Sequence, residues 1–131
     1  MTVTINAVTS TGLVQTSDGS GIVKLQSNGV ATNALAWVLF DGTASPGTIR
    51  AQYNVSSVTR NSTGNFTVNF TNALADANYA VGGLCGSLTT GTPSVWGETG
   101  TRTTSAYQFA TGTSAGINTN YTYTSLLVFG N

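Results

Sequence analysis

Short runs in which apolar and polar residues alternate, each soon broken by Gly, Asn, Asp or Pro, extend along the whole chain. No segment sustains the 3.6-residue apolar period of an amphipathic helix, so the pattern predicts an antiparallel β-sandwich or barrel. β-Branched and aromatic residues dominate the runs, as a half-buried pleated surface prefers. Residues 3–8 read as a first strand. A turn cluster, Thr16-Ser17-Asp18-Gly19-Ser20-Gly21, leads to a strand over 22–26, and Ser27-Asn28-Gly29 makes the next turn. Residues 35–40 are apolar almost without interruption, which predicts a strand buried on both faces, either centrally or at a subunit contact.

Asp41-Gly42 ends that strand with turn chemistry, and Ser45-Pro46-Gly47 marks a loop tip, because proline cannot donate to a central ladder. The clearest hairpin pairs residues 55–60 with 66–71 through Asn61-Ser62-Thr63-Gly64-Asn65. Alternation puts Phe66, Val68 and Phe70 on one face, and a one-residue slip would turn both phenylalanines to water. Residues 73–78 are compatible with one helical turn before a strand over 79–85. Residues 86–105, rich in Gly, Thr and Ser, read as exposed loops carrying Trp96, followed by strands over 104–110 and 121–129. In the last of these, Tyr121, Tyr123, Ser125, Leu127 and Phe129 share one face.

Composition narrows the picture. The 131 residues suffice for a real core, and 40% are hydrophobic, which excludes a disordered chain. Only 6% are charged, against about 25% in an ordinary globular domain, and the formal net charge is zero. A surface solvated by Thr, Ser, Asn and Gly alone favours self-association, so an oligomer or particle-bound protein is expected. The four basic residues, Lys24, Arg50, Arg60 and Arg102, are scattered, which argues against a nucleic-acid partner. No apolar run approaches the ~20 residues that cross a bilayer, so membrane insertion is not expected, and no secretory signal opens the sequence.

The chemistry is mostly one of missing partners, and no enzyme and no cofactor are expected. The chain has no histidine, which removes Ser–His–Asp and Cys–His catalysis and histidine metal sites. Cys85 has no second cysteine for a disulfide and reads as a small buried hydrophobe. The acids Asp18, Asp41, Asp76 and Glu98 are dispersed; two of them precede glycine in turns, where Asp caps its own backbone. Neither a phosphate-binding loop nor EF-hand spacing is present, and no metal site is assigned. The Asn-x-Ser/Thr matches are expected by chance in so Thr- and Ser-rich a chain.

Aromatic residues carry the one binding signal. Trp37, Leu39, Phe66 and Phe70 lie in strong strands and are candidates for the core or a subunit contact. Trp96, in its Gly- and Ser-rich setting, is a candidate for stacking on a sugar ring, with Tyr107, Tyr121 and Tyr123 as further candidate glycan contacts; packing at a subunit contact is the competing role for Trp96.

The order of pieces Ala36-Trp37-Val38, Phe40-Asp41-Gly42, Ile49-Arg50, Tyr53-Asn54-Val55-Ser56-Ser57-Val58-Thr59, Gly64-Asn65-Phe66-Thr67-Val68-Asn69-Phe70 and Ala73-Leu74-Ala75-Asp76-Ala77-Asn78-Tyr79 resembles the distal domain of bacteriophage tail-fibre and tailspike proteins. The resemblance covers about a third of the chain. It implies an antiparallel β-sandwich of jelly-roll type and a homotrimer. Residues 1–34 read as a strand-rich N-terminal arm, with Val3, Ile5, Leu13 and Val14 as candidate capsid-facing residues, and residues 35–131 as the tip-like sandwich. Because the tip-like region begins by about residue 35, leaving no room for a fibre shaft, the expected role is a phage head decoration (cement) protein. It would sit on the virion surface, bind the major capsid protein as trimers, and present its distal loops to host polysaccharide. The alternative is a short tail fibre or tailspike tip that recognises a host glycan.

Overall fold

A computed structural model describes the backbone over residues 26–27, 30–31, 33–87 and 94–130. It is all-β, with two packed antiparallel sheets and no helix among the described residues. A short antiparallel pair, β1 (Gln26–Ser27) and β2 (Val30–Ala31), precedes the sandwich; the expected turn at Asn28-Gly29 lies outside the described residues. The sandwich follows: β3 (Ala36–Asp41), β4 (Thr48–Tyr53), β5 (Val55–Ser62), β6 (Asn65–Phe70), β7 (Ala80–Gly86), β8 (Ser94–Arg102), β9 (Ala106–Thr113) and β10 (Tyr123–Phe129). One sheet has the order β4-β3-β10-β7 and the other β5-β6-β9-β8.

Alternation explains which side chains meet between the sheets. Val38 and Phe40 of β3, Leu126 and Val128 of β10, Phe66 and Val68 of β6, and Tyr107 and Phe109 of β9 are all essentially buried. Aromatic rings form a continuous seam through this core. Phe40 lies edge-on to Phe66 with centroids 5.1 Å apart; Tyr107 stacks on Phe109 at 6.2 Å; Tyr79 joins Phe70 to Tyr107 at 6.0 and 6.1 Å. Edge-to-face and offset pairs of this kind add to what burial alone contributes.

The first change of sheet, from β4 to β5, takes a single residue. Asn54 separates β4 from β5 and takes a left-handed backbone, φ 53°, a conformation that Asn tolerates better than other side chains. Its side chain holds the corner: Nδ2 donates to the carbonyls of Leu35 and Asn72 at 3.1 and 3.2 Å, and Oδ1 accepts from the Asn72 amide at 2.8 Å. The predicted hairpin forms as β5 and β6, turning at Thr63-Gly64. Gly64 also has a left-handed backbone, φ 64°. Its amide donates to Asn120 Oδ1 and its carbonyl accepts from Thr111, each at 2.7 Å, so the turn is pinned to the rest of the fold.

Three local expectations are corrected. Residues 73–78 form bends instead of a helical turn: Leu74 drops into the core and Asp76 accepts the Asn78 amide in a local turn. Part of the expected loop over 86–105 is the nine-residue β8, whose backbone pairs with β9 and so needs no apolar stripe to be a strand. β3 is an interior strand of its sheet, but only one of its faces is buried, and Trp37 on the other is 37% exposed.

Antiparallel register gives the sandwich two poles. At the entry pole lie residue 35, the Asn54 corner, the 71–79 connection, the 103–105 turn and the end of β10. The far pole carries the 42–47 loop, the Thr63-Gly64 turn and residues 114–122. The proposed arm residues Val3, Ile5, Leu13 and Val14, and most of the 1–34 segment, lie outside the described residues.

Candidate functional site

The outward face of the β4-β3-β10-β7 sheet is the most distinctive surface among the described residues. Inward Val38, Phe40, Thr124, Leu126 and Val128 fix the opposite parity for Trp37, Leu39, Tyr123, Leu127 and Phe129. Trp37, Tyr123, Leu127 and Phe129 are each 36–40% exposed, and Leu84 of β7 reaches 80%. Among the described residues, the other large exposed hydrophobic side chain is Ile117, in a far-pole turn. Register arranges the face in cross-strand rows. One row runs Tyr53–Trp37–Leu127–Gly82, and the next Ala51–Leu39–Ser125–Leu84.

Among the described residues, charge on this face is confined to its far-pole end. Asp41 pairs with Arg50 at 2.8 Å, and the Arg50 guanidinium lies 4.5 Å over the Tyr123 ring. Hydrogen bonds from the Thr43 side chain and amide, and then the Arg50 partner, hold the Asp41 carboxyl below its ordinary value. The pair neutralises itself and leaves the rows of the face uncharged.

The opposite outer surface, on β5-β6-β9-β8, is polar without charge at its centre. Asn61 donates to Asn65 and Thr67, both at 2.8 Å; Asn69 donates to Ser57 at 3.0 Å; Gln108 donates to Asn65 at 3.0 Å. These bonds hold an array of amides and hydroxyls in fixed orientations. The molecule thus has one apolar and one hydrophilic broad face.

Of the four candidate sugar-contact residues, the three with described side chains, Tyr107, Tyr121 and Tyr123, do not form one exposed surface. Tyr107 and Tyr121 are 1% and 3% exposed, so neither ring offers a face for stacking. Tyr107 belongs to β9, where alternation with Phe109 sends both inward; that alternation is present in the sequence and identifies the residue as core. Tyr121 precedes β10 and folds beneath the Gly42 turn, its carbonyl accepting the Gly42 amide at 2.9 Å. Tyr123 is at the surface with Arg50 over its ring. The backbone of Trp96 lies in β8, opposite Thr111; its ring lies outside the described side chains. Of the four core-or-contact candidates, Phe66 and Phe70 are core, while Trp37 and Leu39 belong to the outward face.

At the entry pole, Arg102 closes the core. It pairs with Glu98 at 2.6 Å and lies 5.0 and 5.3 Å over the Tyr79 and Tyr107 rings. The Arg102 hydrogen bond lowers the Glu98 pKa, whereas burial raises those of Tyr79 and Tyr107. This is a packing clamp, with a guanidinium tying β8 and β9 to the start of β7. Among the described residues no group of His, Cys, Asp and Glu is placed to hold a metal ion, and no helix is long and apolar enough to cross a membrane.

No protein-family model matches the chain, and no curated protein or solved structure matches it either.

Proposed function

We propose that the chain is a structural protein of a phage virion: a head decoration, or cement, protein that binds the major capsid protein on the outer shell as homotrimers. The observation that carries this reading is the uncharged, apolar outward face of the β4-β3-β10-β7 sheet, with Leu84 80% exposed. Contiguous apolar surface of this kind marks a contact that is covered in use. The resemblance to tail-fibre tips supplies the phage setting and the trimer. The jelly-roll reading of the sandwich draws support from eight strands in two sheets with the first, β3, beside the last, β10.

The poles suit such a role. Residue 35 joins the sandwich at the entry pole, so a capsid-binding arm would lie there and the 42–47 and 114–122 loops would point away from the shell. Binding to the assembled shell in preference to a loosened one stabilises it by linkage. The alternative is a short tail fibre or tailspike tip that recognises host glycan. It is favoured by the preordered amide and hydroxyl array of Asn61, Asn65, Asn69 and Gln108.

Copy number separates the two readings. Quantitative mass spectrometry of purified virions, scaled to the major capsid protein, is expected to give a near-stoichiometric ratio. A ratio equivalent to a few copies per particle would move the protein to the tail, and its absence from virions would overturn both readings.

A further inference from the structure

The four edge strands of the sandwich, β4, β7, β5 and β8, are not alike. β4 carries Arg50, and its pairing with β3 shifts register there. β5 carries Arg60 and shifts twice against β6. β8 carries Glu98 and Arg102 and shifts between them. Charges and bulges are what keep an open edge from pairing with another strand. β7 has neither. Its residues, Ala80 to Gly86, are uncharged and include no proline, and they pair with β10 in one unbroken register. β7 is also rich in glycine that its own conformation does not require. Gly82, Gly83 and Gly86 lack the left-handed backbone of Gly64 and Gly116. At Gly82 and Gly86 an added Cβ would meet nothing within 4 Å among the described residues. Glycine inside a strand marks a place that another backbone approaches closely.

We infer that the outer edge of β7 takes a fifth strand, and that this strand is residues 2–8 of the same chain. The segment, outside the described residues, reads Thr2-Val3-Thr4-Ile5-Asn6-Ala7-Val8. It is uncharged, contains no Gly or Pro, and matches β7 in length. Alternation fixes its register. On β7 the core-side positions are Val81, Gly83 and Cys85, the partners of inward Val128, Leu126 and Thr124, and they are only half-buried at the flank of the sandwich. Antiparallel pairing of Ile5 with Gly83 sets Val3, Ile5 and Ala7 on this core side, and Thr2, Thr4, Asn6 and Val8 on the outward side. A one-residue slip would reverse the two sets. Direction agrees as well. β7 begins at the entry pole, where Ala80 pairs with Phe129. A strand antiparallel to it ends at that pole, where residue 35 enters the sandwich. Residues 9–34 then have three strand spacings to cross, about 14 Å, which a few extended residues span at ~3.3 Å each. The inference stands apart from the virion reading. It withdraws Val3 and Ile5 from the capsid contact and leaves Leu13 and Val14 to it.

Disulfide trapping tests the pairing. Thr4 and Leu84 are opposite each other in this register, at the roughly 4.5–5.5 Å Cα separation of antiparallel partners, which a disulfide spans. In the full chain carrying Cys85→Ser, the pair Thr4→Cys and Leu84→Cys is expected to lose both thiols on mild oxidation at the mass of a single chain. Trypsin, cutting at Lys24, Arg60 and Arg102, is then expected to release peptide 1–24 joined to peptide 61–102. The pair Ile5→Cys and Leu84→Cys is not expected to crosslink, because their Cβ vectors leave opposite faces of the sheet. Hydrogen exchange supplies a second readout. Ile5→Asp is expected to speed amide exchange over 80–86 by about tenfold or more, and Ile5→Val to leave it unchanged, with the β3 and β6 amides reporting that both variants stay folded. A folded chain in which Thr4→Cys and Leu84→Cys crosslink no faster than the Ile5→Cys control, or whose β7 amides ignore Ile5→Asp, overturns the inference. A crosslink formed only between chains overturns the assignment to the same copy and gives the strand to a neighbour.

Discussion

Asn54 shows how much a single side chain decides. It supplies a left-handed backbone and three side-chain hydrogen bonds at the one-residue step between the sheets. Asn54→Ala is expected to destabilise the fold by about 2–3 kcal/mol, from ~1–2 kcal/mol of backbone strain and roughly 1 kcal/mol for lost hydrogen bonds. Asn54→Gly keeps the backbone and is expected to cost less; denaturant titration of the two variants checks the order. Asp41 and Glu98 act on stability through pH. Both have folded-state pKa values below the ordinary 3.8 and 4.5. A carboxyl lowered in this way contributes stability that is full above its unfolded value and lost as pH falls through the folded one. Wild type is therefore expected to lose stability below about pH 4, and Asp41→Asn to show a shallower loss between pH 4 and 2 in denaturant midpoints.

Among the elements, the β5–β6 hairpin depends most on its turn. A Cβ on Gly64 would run into the Thr111 carbonyl and the Thr119 amide while the backbone sits at φ 64°. Gly64→Ala is expected to destabilise by about 2–3 kcal/mol, read as a lower thermal midpoint, since left-handed strain adds to the displaced backbone. This hairpin was fully legible, because Phe66, Val68 and Phe70 alternate strictly and the turn residues are distinctive. β8 was not legible: Gly and Thr spaced along a strand paired through its backbone look like a loop. β3 was recognised as a strand but not in its environment, since a run of apolar residues reads the same whether its second face meets a core or an uncovered surface. Tyr107 was misjudged because its Thr- and Ser-rich neighbours masked the alternation with Phe109. The rows of the apolar face were out of reach altogether, because they join residues 51, 39, 125 and 84, and only strand order places these side by side.

At the scale of the whole molecule, two broad faces of opposite character meet two poles with different traffic. The apolar outward face and the face lined by amides and hydroxyls lie on opposite sides of the core, and residue 35 enters the sandwich at one pole.

The neighbouring first and last strands have a practical meaning. Ala36 and Val128 are register partners, and the Leu35 amide donates to the Val128 carbonyl at 2.8 Å. Residue 35 and the end of β10 thus leave the sandwich side by side. Cargo genetically fused behind β10 would therefore emerge beside the point where the chain enters the sandwich at residue 35. Linking those two ends and reopening the chain in the Thr113–Gly116 turn, which is tied off by its own 2.9 Å backbone bond, would move both ends to the opposite pole. The same sandwich would then present its passenger at the far pole, with the direction of display set by where the backbone is cut.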